Sequence, residues 1–145
     1  MSSKRRRPER HAIYLIPGFF GFANLGRLRY FVHVDRLLRA RCAERGIDAR
    51  VHVVHTHPTA SLPARAALVI ESLARTLRRG EIAHLIGHST GGIDARLATA
   101  PGARLPTDAD ATRWADRVRS VVGVSAPQRG TPLAAALTTR RGQEL

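Results

Sequence analysis

The chain has 145 residues, 43% of them hydrophobic, which is enough for one domain with a buried core and too apolar for a disordered segment. A single cysteine, Cys42, excludes an internal disulfide framework and metal sites built on several thiolates, and no stretch approaches the roughly 18 consecutive apolar residues of a membrane helix. The net charge of +13, from 24 basic and 11 acidic residues, admits an anionic partner such as nucleic acid, a membrane surface or an acidic substrate.

The chain opens on MSSKRRRPER, read as a basic, solvated and disordered tail over residues 1–10, ahead of one domain over 11–145. No apolar run of signal-peptide length follows it, so a cytoplasmic, reducing location is the expectation. Lys4 is the only lysine, and the arginines are scattered rather than gathered in one stripe. Aromatic residues make up 5%, which leaves few platforms on which bases could stack. Composition bias therefore accounts for the charge better than a nucleic-acid surface does.

AIYLIPG predicts a strand over 13–16, closed by Pro17 and Gly18. A loop with Gly21 and Gly26 follows. Val34, Leu37, Leu38 and Cys42 recur at spacings of three and four and predict an amphipathic helix stopped by Gly46. VHVV (51–54) is the second strand. Ser61 is placed to cap a helix that tolerates Pro63 in its first turn. Leu62, Ala66, Val69, Ile70, Leu73 and Leu77 mark its inner face, and Gly80 ends it. AHLIG (83–87) is the third strand, with a helix through Ile93 and Leu97 after it. Residues 101–110 form a loop by composition, a short helix around Trp114 follows, and SVVGVS (120–125) is the fourth strand. Residues 130–145 begin another helix.

Strands alternate with helices and are apolar on both faces. That pattern predicts an α/β fold, a doubly wound, mostly parallel sheet with helices on both sides, cut off after the fourth strand. The expected spatial order is 51–54, 13–16, 83–87, 120–125.

Gly87-His88-Ser89-Thr90-Gly91 fits G-x-S-x-G. Such a serine must stand on a strained turn between strand and helix, with glycines on either side so that backbone segments can approach. The helix that follows aims its positive end at a developing oxyanion. A nucleotide-binding turn would instead carry G-x-G-x-x-G or G-x-x-x-x-G-K-[ST], and neither is present.

Three segments together resemble the front part of the α/β-hydrolase fold, closest to bacterial triacylglycerol lipases and esterases. They are YLIPGFFG (14–21), GHSTGGIDARL (87–97) and VVGVSAPQRGTPLA (121–134), in the family's order. The resemblance implies Ser89 as nucleophile and the backbone N–H groups of Phe19 and Thr90 as oxyanion donors. It implies no metal and no organic cofactor. Pro17-Gly18 stands where the family often has His-Gly, and Gln128 where it commonly has His in P-H-R-G.

The rest of a triad is not assigned. In this fold the order is Ser, then Asp or Glu, then His, yet all seven histidines lie at or before residue 88. His88 flanks Ser89, but its side chain should leave the turn in another direction. His52, His55 and His57 could form a metal pair or surrogate base at a strand end; the simpler account is one histidine on a strand face and two on a polar loop. His11 and His84 are expected at a strand end and in the core. Asp94 reads as structural, paired with Arg96 or another arginine, and Asp108, Asp110 and Asp116 as solvent-facing.

The leading expectation is a serine hydrolase of carboxylic esters acting through an acyl-enzyme on Ser89, on a small-molecule or lipid ester; Phe19, Phe20 and Phe22 would suit an apolar acyl chain. Lacking acid and base, the isolated chain is expected to be weak. The alternative is a non-catalytic protein on the same scaffold, either a truncated or decayed hydrolase or a module that binds an anionic partner through its arginines.

Overall fold

The computed structural model describes residues 9–18 and 31–132. In chain order the elements are β1 (Arg10–Ile16), α1 (Val32–Glu44), β2 (Asp48–Val53), α2 (Leu62–Thr76), β3 (Glu81–His88), α3 (Thr90–Ala98), α4 (Ala111–Ala115) and β4 (Val118–Val124). The strands form one sheet in the order β2-β1-β3-β4, and every pairing is parallel. This is the predicted order. Ile13 lies between Val51 and His84, and Leu15 between Val53 and Ile86, so β1 is flanked on both sides from Arg10 to Leu15.

Alternation along β1 separates the two faces. Ala12, Tyr14 and Ile16 join Ala83 and Leu85 against Ala66, Val69, Ile70 and Leu73 of α2 and Ala95 and Ala98 of α3. Ile13, Leu15 and Val51 face the other way, onto Phe31 and the α1 side chains Leu38 and Cys42. Each large apolar side chain fully buried in this way stabilises the fold by about 1.5–3 kcal/mol.

The helix ends follow from local chemistry. Ser61 Oγ accepts from the Ala64 N–H, and a proline sits in the first turn of α2. At the end of α1, Gly46 takes φ 63° while its N–H and that of Ile47 donate back to the Ala43 and Cys42 carbonyls. That is a left-handed cap only glycine adopts without strain.

Three expectations are corrected. Val34 and Leu37 of α1 face solvent, Leu37 at 56% exposure, because α1 covers only the β2–β1 side and reaches inward through Leu38 and Cys42. Leu62 is also exposed, at the leading end of α2. On β4, Val121, Val122 and Val124 are exposed despite their apolar character. Among the described residues nothing pairs with the outer edge of β4 and no helix covers it on the α1 face.

The predicted tail over 1–10 ends too late, since Arg10 already opens β1 in register with Asp48 and Glu81; residues 1–8 of it, the loop with Gly21 and Gly26, and the helix beyond Pro132 lie outside the described residues. No helix among the described residues is long and apolar enough to cross a membrane.

Candidate functional site

In a parallel sheet the carboxyl ends of all strands lie at one edge, where loops can gather a site. Here that edge brings together Pro17 and Gly18 after β1, residues 54–57 after β2, Ser89 after β3 and Ser125 after β4.

Ser89 sits between β3 and α3 with φ 54° and ψ −129°. A non-glycine residue at such a φ is strained, at a cost of order 1–3 kcal/mol, and such strain gathers at functional sites. The turn is over-determined by its neighbours. The Ser89 N–H donates to the Val124 carbonyl at 2.9 Å, and its own carbonyl accepts from the Gly92 N–H at 3.0 Å. A Cβ placed on Gly18 would come 2.6 Å from Ser89 Cβ and 3.1 Å from Ser89 Oγ, so the end of β1 runs directly beside the hydroxyl. A Cβ on Gly87 would strike the Gly91 backbone, and one on Gly91 the Ile16 carbonyl. The glycines of the motif are therefore required by close approach of main chains.

Thr90 is the first residue of α3, so its N–H precedes the intrahelical ladder and is free to face the helix mouth. Its Oγ1 is buried without a hydrogen-bond partner among the described residues. Phe19, with Phe20 and Phe22, lies outside the described residues; Gly18, its neighbour, touches Ser89.

The histidines separate. β1 stands between β2 and β3, which puts the strand leading to His55 and His57 two spacings, roughly 10 Å, from that of Ser89. Both rings are exposed. His52 stacks on Tyr14 at 5.0 Å, within the sheet rather than at its end. His11 and His84 meet each other: His11 Nδ1 lies 3.0 Å from His84 Nε2, and His84 Nδ1 lies 2.7 Å from Ser120 Oγ. They line a hollow of about 330 Å3 with Ile13, Cys42, Ile86 and Val122 that includes no residue of the serine turn.

Burial lowers the pKa of His52, helped by Arg50, and that of His84, helped by His11 and Arg119. The unfolded chain therefore takes up protons at these two rings below about pH 6.5 while the folded chain resists doing so. Stability should be complete above that pH and fall as acid is added. Urea midpoints at pH 7.5 and 5.5 check this, and His52→Phe, which keeps the stack on Tyr14, should shrink the difference.

Asp94 pairs not with Arg96 but with Arg65. The Arg65 Nε and Nη2 donate to Asp94 Oδ2 at 3.0 and 2.7 Å, in a pair 2% and 0% exposed. Arg96 instead donates to Gln128 Oε1 at 2.7 Å, which ties α3 to the segment after β4. Asp108, Asp110 and Asp116 are exposed, and Asp110 caps α4 through the Arg113 N–H.

Two residues near the serine turn escaped sequence reasoning. Ser125 takes φ 50° at the end of β4, directly after the Val124 carbonyl that holds Ser89; nothing in SVVGVS signals it. Arg65 falls at an inward position of α2, between Leu62 and Val69 at spacings of three and four, and an arginine on that stripe was the available sign.

No family model and no curated protein matches the chain. Among solved structures, that of a metagenomic carboxyl esterase matches with a TM-score of 0.57 and 22% identity over 88% of this chain. The chain spans 34% of the length of that esterase. The likeness establishes the α/β fold.

Proposed function

We propose that the chain carries the nucleophile and oxyanion half of a serine hydrolase of carboxylic esters. The observation that supports this best is the strained Ser89, held at the mouth of α3 against Gly18. The esterase of similar fold and the G-x-S-x-G spacing agree with it.

In the proposed chemistry Ser89 Oγ attacks the ester carbonyl and forms a new C–O bond. The carbonyl π electrons move onto oxygen, where the Thr90 and Phe19 N–H groups and the N-terminal end of α3 receive the charge. Collapse expels the alcohol, and water then releases the acyl group. The serine proton needs an acceptor. No histidine follows Ser89, and a protonated serine is a weak nucleophile, so water or an added base must serve in the isolated chain.

The expected activity on a short-chain p-nitrophenyl ester is slow, at most roughly 10³–10⁴ over the uncatalysed rate, as an oxyanion site without a triad provides. Ser89→Ala should reduce it to background, whereas His55→Ala and His57→Ala should leave it unchanged. Turnover near an ordinary enzyme rate of about 10 s⁻¹, abolished by a histidine substitution, would place a base within these residues and overturn the half-site reading.

A further inference from the structure

Arg65 makes four hydrogen bonds from one guanidinium, and three of them reach segments that border the serine turn. Nε and Nη2 donate to Asp94 Oδ2 in α3. Nη2 also donates to the Pro17 carbonyl at 2.9 Å, at the end of β1. Nη1 donates to the His57 carbonyl at 3.0 Å, in the loop after β2. Pro17 precedes the glycine that touches Ser89, and Asp94 lies five residues into the peptide that Ser89 begins.

As packing, this arrangement is an unfavourable choice. A buried ion pair is often no more stable than apolar side chains of the same volume. The cation also sits near the N-terminal end of α2, where the helix dipole opposes it. Asp94 Oδ1 is buried with no hydrogen-bond partner among the described residues. What the guanidinium supplies, and an apolar side chain cannot, is a planar fork with fixed directions. It spans the gap between the main chain at Pro17 and the helix that carries the serine.

We propose that Arg65 is a positioning residue for Ser89: it pins the Pro17–Gly18 main chain to α3 and so fixes the oxyanion side of the turn relative to the hydroxyl. The catalytic part of this rests on the hydrolase reading above; the pinning itself does not.

The test uses the full chain and two variants, Arg65→Met/Asp94→Leu and Arg65→Lys. The double variant removes both buried charges together, so a purely structural pair would be replaced without loss. Three quantities are followed: the thermal midpoint, amide exchange at Gly18, and the rate at which a fluorophosphonate labels Ser89 in imidazole buffer. In that reaction the Ser89 Oγ–P bond forms, fluoride leaves and imidazole takes the proton.

The double variant should keep a midpoint near or above that of the parent. It should nonetheless expose Gly18 to exchange about tenfold faster and label about tenfold slower, part of the roughly 10²–10³ that a lost oxyanion donor costs. Arg65→Lys keeps the charge but loses the fork; it should retain part of the Gly18 protection. If the double variant does not fold, Arg65→Lys decides on the same readouts. Unchanged Gly18 exchange and labelling in either folded variant would overturn the proposal. Absence of Ser89 labelling in the parent chain would overturn the hydrolase reading instead, and Gly18 exchange would still decide the pinning.

Discussion

Replacing Gly91 by alanine should destabilise the fold by about 3 kcal/mol, at the upper end of overpacking costs. The added Cβ lands on the Ile16 carbonyl and 2.8 Å from the Pro17 oxygen. Both are main-chain atoms where β1 ends, Ile16 paired there with Gly87 of β3, so no side-chain rotation relieves the contact. Relief requires α3 to lift from the sheet, which opens the Ala95 and Ala98 contacts to the core. Gly102→Ala is the comparison. It has open space around it but φ 75°, and should cost only the about 1–2 kcal/mol of left-handed backbone. Urea unfolding of the two variants ranks them. A Gly91→Ala variant less damaging than Gly102→Ala would mean that α3 does not press on β1 as described.

Asp94→Leu should be comparably severe, at about 3–5 kcal/mol, because it strands the Arg65 guanidinium in a site 2% exposed. Arginine cannot escape by losing its proton. The reciprocal change, Arg65→Met, leaves a carboxyl that can. Burial already raises the Asp94 pKa, more than the Arg65 hydrogen bonds lower it. With Arg65 gone, the folded variant binds a proton at Asp94 at a pH where the unfolded chain, near 3.9, does not. The part of its deficit due to the buried charge should therefore shrink as pH falls through the folded value towards about 4. Asp94→Leu should show no such recovery. Thermal midpoints of the two variants across pH 4 to 8 separate them, and parallel curves would contradict the assignment of buried charges.

The contrast between Ser89 and Arg65 shows how far residues alone reach here. The strained turn at Ser89 was legible because its signal is local: glycines two positions to either side, an apolar strand before and a helix after. The parallel order followed from short apolar runs alternating with helical spacing. Arg65 was not, because its role depends on Asp94, Pro17 and His57, which are remote in sequence and meet it only in the folded chain. Val34 and Leu37 misled for a related reason. Their period is helical, but which part of α1 turns inward depends on where the helix sits over the sheet. The His11–His84–Ser120 chain likewise needed the strand register before it could be seen.

The most direct test of Ser89 as nucleophile is the site of acyl transfer. The chain is incubated with p-nitrophenyl acetate in imidazole buffer, quenched in acid and mapped by peptide mass spectrometry, beside Ser89→Ala. The account predicts an acetyl group on Ser89 in the parent chain, with p-nitrophenol release that exceeds that of Ser89→Ala. Acetylation confined to other residues, with equal release from both proteins, would contradict it.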